Sequence, residues 1–182
     1  IAICTKASND KYKFKDTLTY TTEVVNDLLG TVTMPFTENF DNKANCNVSS
    51  WTCFSAVCAI NGWANRTNST QDETDWRVNF GTTASVNTGP TTDQNTGTIV
   101  GKYIYLESSS CWGRTANLVS PCIDLTNATG AQLEFWYHMF GLAMGELHVD
   151  VLSGATWEEN VFQISGDQGN SWHKATVYLN NY

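Results

Sequence analysis

The sequence predicts an all-β domain, and three observations lead to that prediction. Residues 133–139 (LEFWYHM) and 147–151 (LHVDV) place apolar side chains at every second position. A period of two is typical of a strand that buries one face. The glycine-containing segment 141–145 between these runs indicates the turn of a hairpin. From Val32 onwards, short strands separated by turn residues favour a two-sheet sandwich or a jelly roll.

The N-terminal segment differs from the rest of the chain. Residues 11–15 (KYKFK) alternate, and residues 18–25 (LTYTTEVV) are rich in β-branched and aromatic side chains, so both are expected to be strands. We therefore divide the chain into residues 1–30, an N-terminal β segment and linker that resembles the end of a preceding β-sandwich, and residues 31–182, the main domain.

The length, charge and cysteine content of the chain limit the classes of protein to which it can belong. The 182 residues suffice for one sizeable domain, and 41% hydrophobic and 12% aromatic residues suffice for its core. The formal net charge of −8 argues against nucleic acid and against anionic membrane surfaces, because both require clustered Lys and Arg. No apolar run is long enough to span a bilayer. Six cysteines in such a chain indicate an oxidising, extracellular or cell-surface environment.

The cysteines predict disulfides, although six cysteines allow fifteen pairings. One loop contains three of them: Cys46, Cys53 and Cys58. We expect two of these to pair and the third to reach Cys4. Cys111 and Cys122 flank a turn and a short strand and are expected to bridge neighbouring strands. A zinc site is the competing interpretation of the loop, but the spacing is irregular and no histidine lies nearby.

Several motifs occur in a fixed order along the chain. They are residues 36–41 (FTENFD), 75–76 (DW), 87–90 (NTGP) with Asp93, 103–107 (YIYLE), 116–121 (ANLVSP), 133–139 and 166–172 (GDQGNSW). In this order they resemble the MAM domain, the extracellular adhesion module first described in meprin, neuropilin and receptor tyrosine phosphatases. The resemblance runs from about Pro35 to the C-terminus and implies a two-sheet antiparallel jelly roll.

The chain departs from the family in three ways. Residues 130–132 lack the family's usual cysteine before the 133–139 strand, and the chain stops at Tyr182, before the family's last two strands. Its richness in Asn and Thr resembles modules of bacterial surface proteins. Since incomplete sheets expose edges, we expect the missing strands to come from a continuation of the chain or from another molecule by strand addition. The alternative is that the sequence was simply cut there and that the fold tolerates the loss. Residues 11–25 would likewise complete or abut a neighbouring domain or subunit.

The resemblance also implies a cation site. It would be formed by the acidic residues of the first strand and by the carboxylate after the Thr-Gly-Pro motif, namely Glu38, Asp41 and Asp93, with Asp75 as a further candidate. Calcium commonly takes such oxygen ligands, and its role here would be to hold loops together. The competing interpretation is that these are solvated loop carboxylates or caps of strand ends.

Catalysis is not expected. None of the common nucleophile, zinc-protease or phosphate-loop motifs occurs around the three histidines, His138, His148 and His173. Glu158 and Glu159 are adjacent on a predicted strand, so their carboxylates point to opposite faces and cannot act on one glycosidic bond.

Tryptophans beside the cysteine-bearing loops are candidates for ligand binding, because exposed rings stack on sugars. Trp51 and Trp112 are these candidates, whereas Trp76 and Trp136 are expected to fill the core or to cover a disulfide. The sequence thus predicts a non-catalytic adhesion or recognition module of a larger, repetitive cell-surface or secreted protein, with a surface glycan or protein as ligand. The alternative is a carbohydrate-binding module attached to a secreted polysaccharide-degrading enzyme.

Overall fold

The structure, a computed structural model, describes residues 2–6, 29–46, 53, 57–180 and 182. The all-β prediction is confirmed. Within the described residues, eleven strands form: β1 (Ala2–Lys6), β2 (Thr31–Thr33), β3 (Ala64–Asn65), β4 (Arg77–Phe80), β5 (Lys102–Tyr105), β6 (Leu118–Val119), β7 (Cys122–Asp124), β8 (Gln132–Tyr137), β9 (Glu146–Ser153), β10 (Thr156–Ser165) and β11 (His173–Tyr178). No helix in this described part is long and apolar enough to cross a membrane.

The strands form one large sheet and two small ones. The large sheet has the order β10-β9-β1-β6-β3, with β7 pairing with β1 and β2 pairing with β7. The small sheets are the antiparallel pairs β8–β11 and β4–β5. Strands β9 and β10 are antiparallel neighbours, but β1 is parallel to β6, β7 and β9, and β2 is parallel to β7. The large sheet is therefore mixed rather than wholly antiparallel, and the jelly-roll strand order stays a prediction.

The N-terminal strand belongs to this sandwich. Residues 2–5 pair with Asp150–Ser153 of β9, while Ala2 pairs with Val119 and Thr5 with Ile123 on the other side. The prediction that the N-terminal segment closes a preceding sandwich is therefore wrong for residues 2–6, because their backbone hydrogen bonds are made within the domain. The placement of residues 2–6 therefore does not support a repeating assembly in which they pair with a neighbouring unit. The strands predicted at 11–15 and 18–25 lie outside the described residues.

The main core lies between β9 of the large sheet and the inner face of the β8–β11 pair. Val149 and Val151 of β9 are 1% and 0% exposed, and they share one apolar cluster with Val177 and Leu179. Leu133 and Phe135 of β8 pack against the same cluster. The alternation that predicted β8 and β9 thus reflects burial of one face. A second cluster contains Cys58, Ile60, Val78 and Leu118.

Disulfides join the loops to this framework. Cys46 is bonded to Cys58, so two of the three cysteines in the predicted loop pair with each other. Cys53 is bonded to Cys111. The predicted Cys111–Cys122 bridge, and the link from the third loop cysteine to Cys4, are therefore wrong. Cys122, which is also disulfide-bonded, lies in β7 and packs beside buried Leu152.

The two loop disulfides are expected to differ in their contributions to stability. Cys53 and Cys111 are 58 residues apart, whereas Cys46 and Cys58 are 12 apart. The chain-entropy model gives about 4 kcal/mol for the longer loop and about 3 kcal/mol for the shorter one. The double variant Cys53→Ala/Cys111→Ala should therefore lose more unfolding free energy in urea than Cys46→Ala/Cys58→Ala. Equal losses, or the reverse order, would contradict this assignment.

Candidate functional site

The loop after β4 contains the Asn-Thr-Gly-Pro motif and is closed by threonine hydrogen bonds. Thr83 Oγ1 donates to Thr88 O at 2.8 Å, and Thr88 Oγ1 donates to Ser85 O at 2.9 Å. Gly89 has a φ of 62°, and a Cβ there would lie 2.6 Å from Thr83 Cγ2. Both conditions require glycine. Gly89 N donates to Phe140 O at 3.0 Å, which attaches the loop to the chain beyond β8.

Asp93, the carboxylate after this motif, organises the next turn. It is 1% exposed, its Oδ2 accepts from Thr96 N at 2.7 Å, and its Oδ1 accepts from Thr96 Oγ1 at 2.6 Å and Thr98 N at 3.0 Å. Burial alone would raise the pKa of Asp93, but the hydrogen bonds together hold it below the usual value. Its stabilising effect is therefore present above the unfolded-state pKa and is lost as the pH falls through the lowered folded-state pKa.

Two of the predicted cation ligands, Asp93 and Asp41, contact consecutive residues at the start of β5. A Cβ at residue 101 would overlap the carboxylate of Asp93, so only glycine allows this approach. The following residue, Lys102, donates its backbone N–H to Asp41 Oδ1 at 2.8 Å. Asp93 and Asp41 therefore contact adjacent residues at the start of β5, although they are far apart in sequence.

Glu38 has different partners. Its Oε1 accepts from Phe40 N at 2.8 Å, and its Oε2 forms an ion pair with Lys43 Nζ at 2.8 Å and accepts from Trp63 Nε1 at 3.4 Å. Within the described part of the chain, no three His, Cys, Asp or Glu side chains converge as metal ligands would. The carboxylates of Glu38, Asp41 and Asp93 thus accept hydrogen bonds from N–H groups, a threonine hydroxyl and a lysine, and calcium binding stays a prediction.

Asp75 lies in a separate buried cluster. Its Oδ2 accepts from Cys58 N at 2.7 Å, and nearby Asp72 Oδ2 accepts from Asn117 N at 2.7 Å. Burial raises the pKa of both carboxyls, and the charge of Asp75 raises that of Asp72 further. Arg77, which is 1% exposed, offsets part of the rise at Asp75. Because these folded-state pKa values are raised, the two carboxylates oppose folding at neutral pH, and this cost is relieved as the pH falls.

Among the described contacts of His173 and His138, neither ring is placed to act as the base of a nucleophile. His173 Nε2 lies 3.2 Å from Ser171 Oγ and 3.0 Å from Gln168 O. A carbonyl oxygen can only accept, so Nε2 carries the ring proton and cannot take another from Ser171. His138 Nε2 lies 3.1 Å from Asn170 Oδ1, and burial lowers the pKa of His138. These contacts tie the loop before β11 to the end of β8.

Of the tryptophans considered in the sequence, Trp112 and Trp76 lie where they were expected, whereas Trp136 does not. Trp112 is 78% exposed in the loop after Cys111, and Trp51 lies outside the described residues. Trp76 packs against the second core cluster and donates to Ala116 O at 3.0 Å. Trp136 was expected in the core but is 44% exposed, because the neighbouring side chains of β8 take the inner face.

The solvent-facing side of β8 and β11, here called the outer face, is not among the sites predicted from the sequence. It consists of three cross-strand pairs: Gln132–Tyr178, Glu134–Thr176 and Trp136–Lys174. Tyr178 is 68% exposed, and Lys174 Nζ lies 2.7 Å from Glu134 Oε1. The period-two pattern of residues 133–139 places Glu134 and Trp136 on the same side of a strand. The sequence therefore indicates the half of the outer face that β8 contributes.

Comparison with known proteins identifies the same family that the sequence motifs resemble. The family model described as "MAM domain, meprin/A5/mu" matches residues 39–182. The chain is 38% identical over 100 residues to MAM domain-containing glycosylphosphatidylinositol anchor protein 1 of Gallus gallus, covering 53% of this chain and 10% of that protein. It is 33% identical over 108 residues to Neuropilin-1a of Danio rerio, covering 57% and 11%. It is 35% identical over 129 residues to MAM domain-containing glycosylphosphatidylinositol anchor protein 2 of Homo sapiens, covering 60% and 13%.

The chain therefore spans only about a tenth of the length of these curated relatives. All three come from vertebrates, and nothing in these matches supports the expected likeness to modules of bacterial surface proteins.

The close approach of β5 to Asp93 gives a stability prediction. Gly101→Ala should lower the unfolding free energy by about 1–3 kcal/mol, because the new methyl group displaces a buried, hydrogen-bonded carboxylate. Gly145→Ala is the matched control, since a Cβ there meets open space, and it should change stability by less than about 0.5 kcal/mol. Urea denaturation of both variants provides the measurement. A Gly101→Ala variant as stable as Gly145→Ala would show that the carboxylate is not held in place.

Proposed function

Because this chain belongs to the MAM domain family, we propose that it is a non-catalytic adhesion or recognition module of a larger extracellular or cell-surface protein. The family match over residues 39–182 is the observation that carries the proposal. Two features support the location. Disulfides at Cys46–Cys58 and Cys53–Cys111 suit an oxidising compartment, and the relative from Gallus gallus is named as a glycosylphosphatidylinositol anchor protein.

The way the loops are held supports a role in recognition. The Thr83–Thr88 loop is closed by its own hydroxyl groups, the following turn is organised around Asp93, and a disulfide ties Cys53 to the loop beside Trp112. Loops held on a rigid β scaffold commonly carry binding residues, because little ordering entropy is then lost on binding. Although Ser171 contacts His173, the Nε2 atom that faces Ser171 donates to Gln168 O and so cannot activate this serine, which agrees with a non-catalytic role.

The partner is proposed to be a surface protein or glycan, bound weakly by one domain and more strongly by several. The alternative of a carbohydrate-binding module attached to a polysaccharide-degrading enzyme stays a prediction. A catalytic domain encoded by the same parent gene would favour it.

Adhesion can be measured with fluorescent beads coated with the domain. We expect the beads to bind one another or a panel of cell surfaces, and free domain to compete at a concentration on the order of micromolar. Beads coated with heat-denatured domain serve as the control. Absence of binding to every surface, or turnover of peptide, ester or polysaccharide substrates by the purified domain, would contradict the proposed role.

The predicted calcium site can be tested through stability. If Asp41 and Asp93 contribute to a cation site, a chelator should lower the melting temperature and added calcium should restore it, because a ligand of the folded state stabilises that state. Asp41→Asn keeps an oxygen that can accept from Lys102 N but removes the charge, so its melting curve should not respond. An unchanged curve for the wild-type protein, with no metal found by elemental analysis, would eliminate calcium binding.

A further inference from the structure

We propose that the outer face of β8 and β11 is a binding site for a neutral oligosaccharide whose pyranose units form an extended chain. The inference rests on the proposed recognition function and names the surface and the ligand class. Its starting point is the exposure of two aromatic rings, Trp136 at 44% and Tyr178 at 68%, on the polar side of a sheet whose other side fills the core. Large exposed aromatic side chains of this kind are enriched at recognition sites.

The register of the two strands places the rings at opposite ends of the surface. Trp136 pairs with Lys174, and Tyr178 pairs with Gln132; the strands are antiparallel, so the second pair lies four residues earlier in β8 and four residues later in β11. At a rise of about 3.3 Å per residue, the two ends are separated by about 13 Å. A separation of this size suits an extended chain of several sugar units rather than a single sugar.

The side chains supply both kinds of contact that a pyranose ring needs. One face of such a ring carries apolar C–H bonds, which pack on the electron-rich face of an aromatic ring, while the hydroxyl groups at its edge require hydrogen-bond partners. Between the two aromatic rings lie Glu134 and Thr176, and Gln132 lies beside Tyr178. A carboxylate, a hydroxyl and an amide can together donate to and accept from hydroxyl groups.

The charge of the surface favours an uncharged ligand. Its one cation and one anion neutralise each other, because Lys174 Nζ lies 2.7 Å from Glu134 Oε1. His138 follows Trp136 by two residues, and burial lowers its pKa, so it adds no positive charge at neutral pH. The whole chain carries a formal net charge of −8, which repels sulfated or carboxylated glycans. An anionic glycan would need unpaired cations that this face does not have.

The test uses three neutral hexasaccharides, namely cellohexaose, laminarihexaose and chitohexaose, titrated into the full chain and followed by calorimetry and by NMR. We expect at least one to bind and to shift resonances of β8 and β11. Trp136→Ala and Tyr178→Ala should each lower the affinity at least tenfold, whereas Trp136→Tyr should retain most of it. Phe80→Ala is the matched control, because it removes a ring on β4 that is 48% exposed, close to the 44% of Trp136, and it should leave affinity unchanged. Heparin should not bind.

Three results would overturn the proposal. They are failure of all three hexasaccharides to bind, binding that survives both Trp136→Ala and Tyr178→Ala, and concentration-dependent dimerisation that Trp136→Ala abolishes, which would assign the face to a second copy of the chain. A loss of affinity in Trp136→Ala supports the proposal only if the melting curve of this variant stays cooperative, which shows that it still folds. Tyr178→Ala tests the same face with a second, independent substitution. If no hexasaccharide binds while coated beads still adhere, this inference fails and the proposed adhesion function stands.

Discussion

The domain depends on the burial of β9 against the inner face of the β8–β11 pair. Val149 and Val151 are almost fully buried there, and each such side chain contributes about 1.5–3 kcal/mol relative to an exposed one. Because side chains alternate along a strand, this burial also decides which residues face solvent. A slip of one residue would bring Trp136 and Glu134 inside and expose Phe135, so the core fixes the composition of the outer face.

Away from this core, polar interactions and disulfides determine the positions of the long loops. The carboxylate of Asp93 is hydrogen-bonded by Thr96 and Thr98 and lies against Gly101, so one buried anion joins the turn to the start of β5. Asp72 and Asp75 show the opposite balance, because burial raises their pKa values despite their hydrogen bonds. Loops built in this way can keep polar surfaces and still hold a defined geometry.

The sequence predicted what local periodicity and ordered motifs encode. The strands β8 and β9, the all-β class and the family all followed from patterns within short segments. The sequence did not predict contacts between distant segments. The bond between Cys53 and Cys111 spans 58 residues, and only the folded chain brings the two together. Strand β1 is five residues long and pairs in parallel with distant strands, so no local turn signal indicates its place. The carboxylates of Asp41 and Asp93 were identified as candidates, but not their contacts with adjacent residues of β5.

The place of β1 determines how the domain would respond to mechanical force. Its backbone is paired on one side with β9 and on the other with β6 and β7, and all of these neighbours run parallel to it. Interstrand hydrogen bonds lie across the strand direction, so a pull along β1 loads both ladders in shear. The bonds must then yield together rather than one after another, as they do when a hairpin is peeled open. In a protein that joins surfaces under tension, β1 would resist extension more strongly than the β9–β10 hairpin beside it.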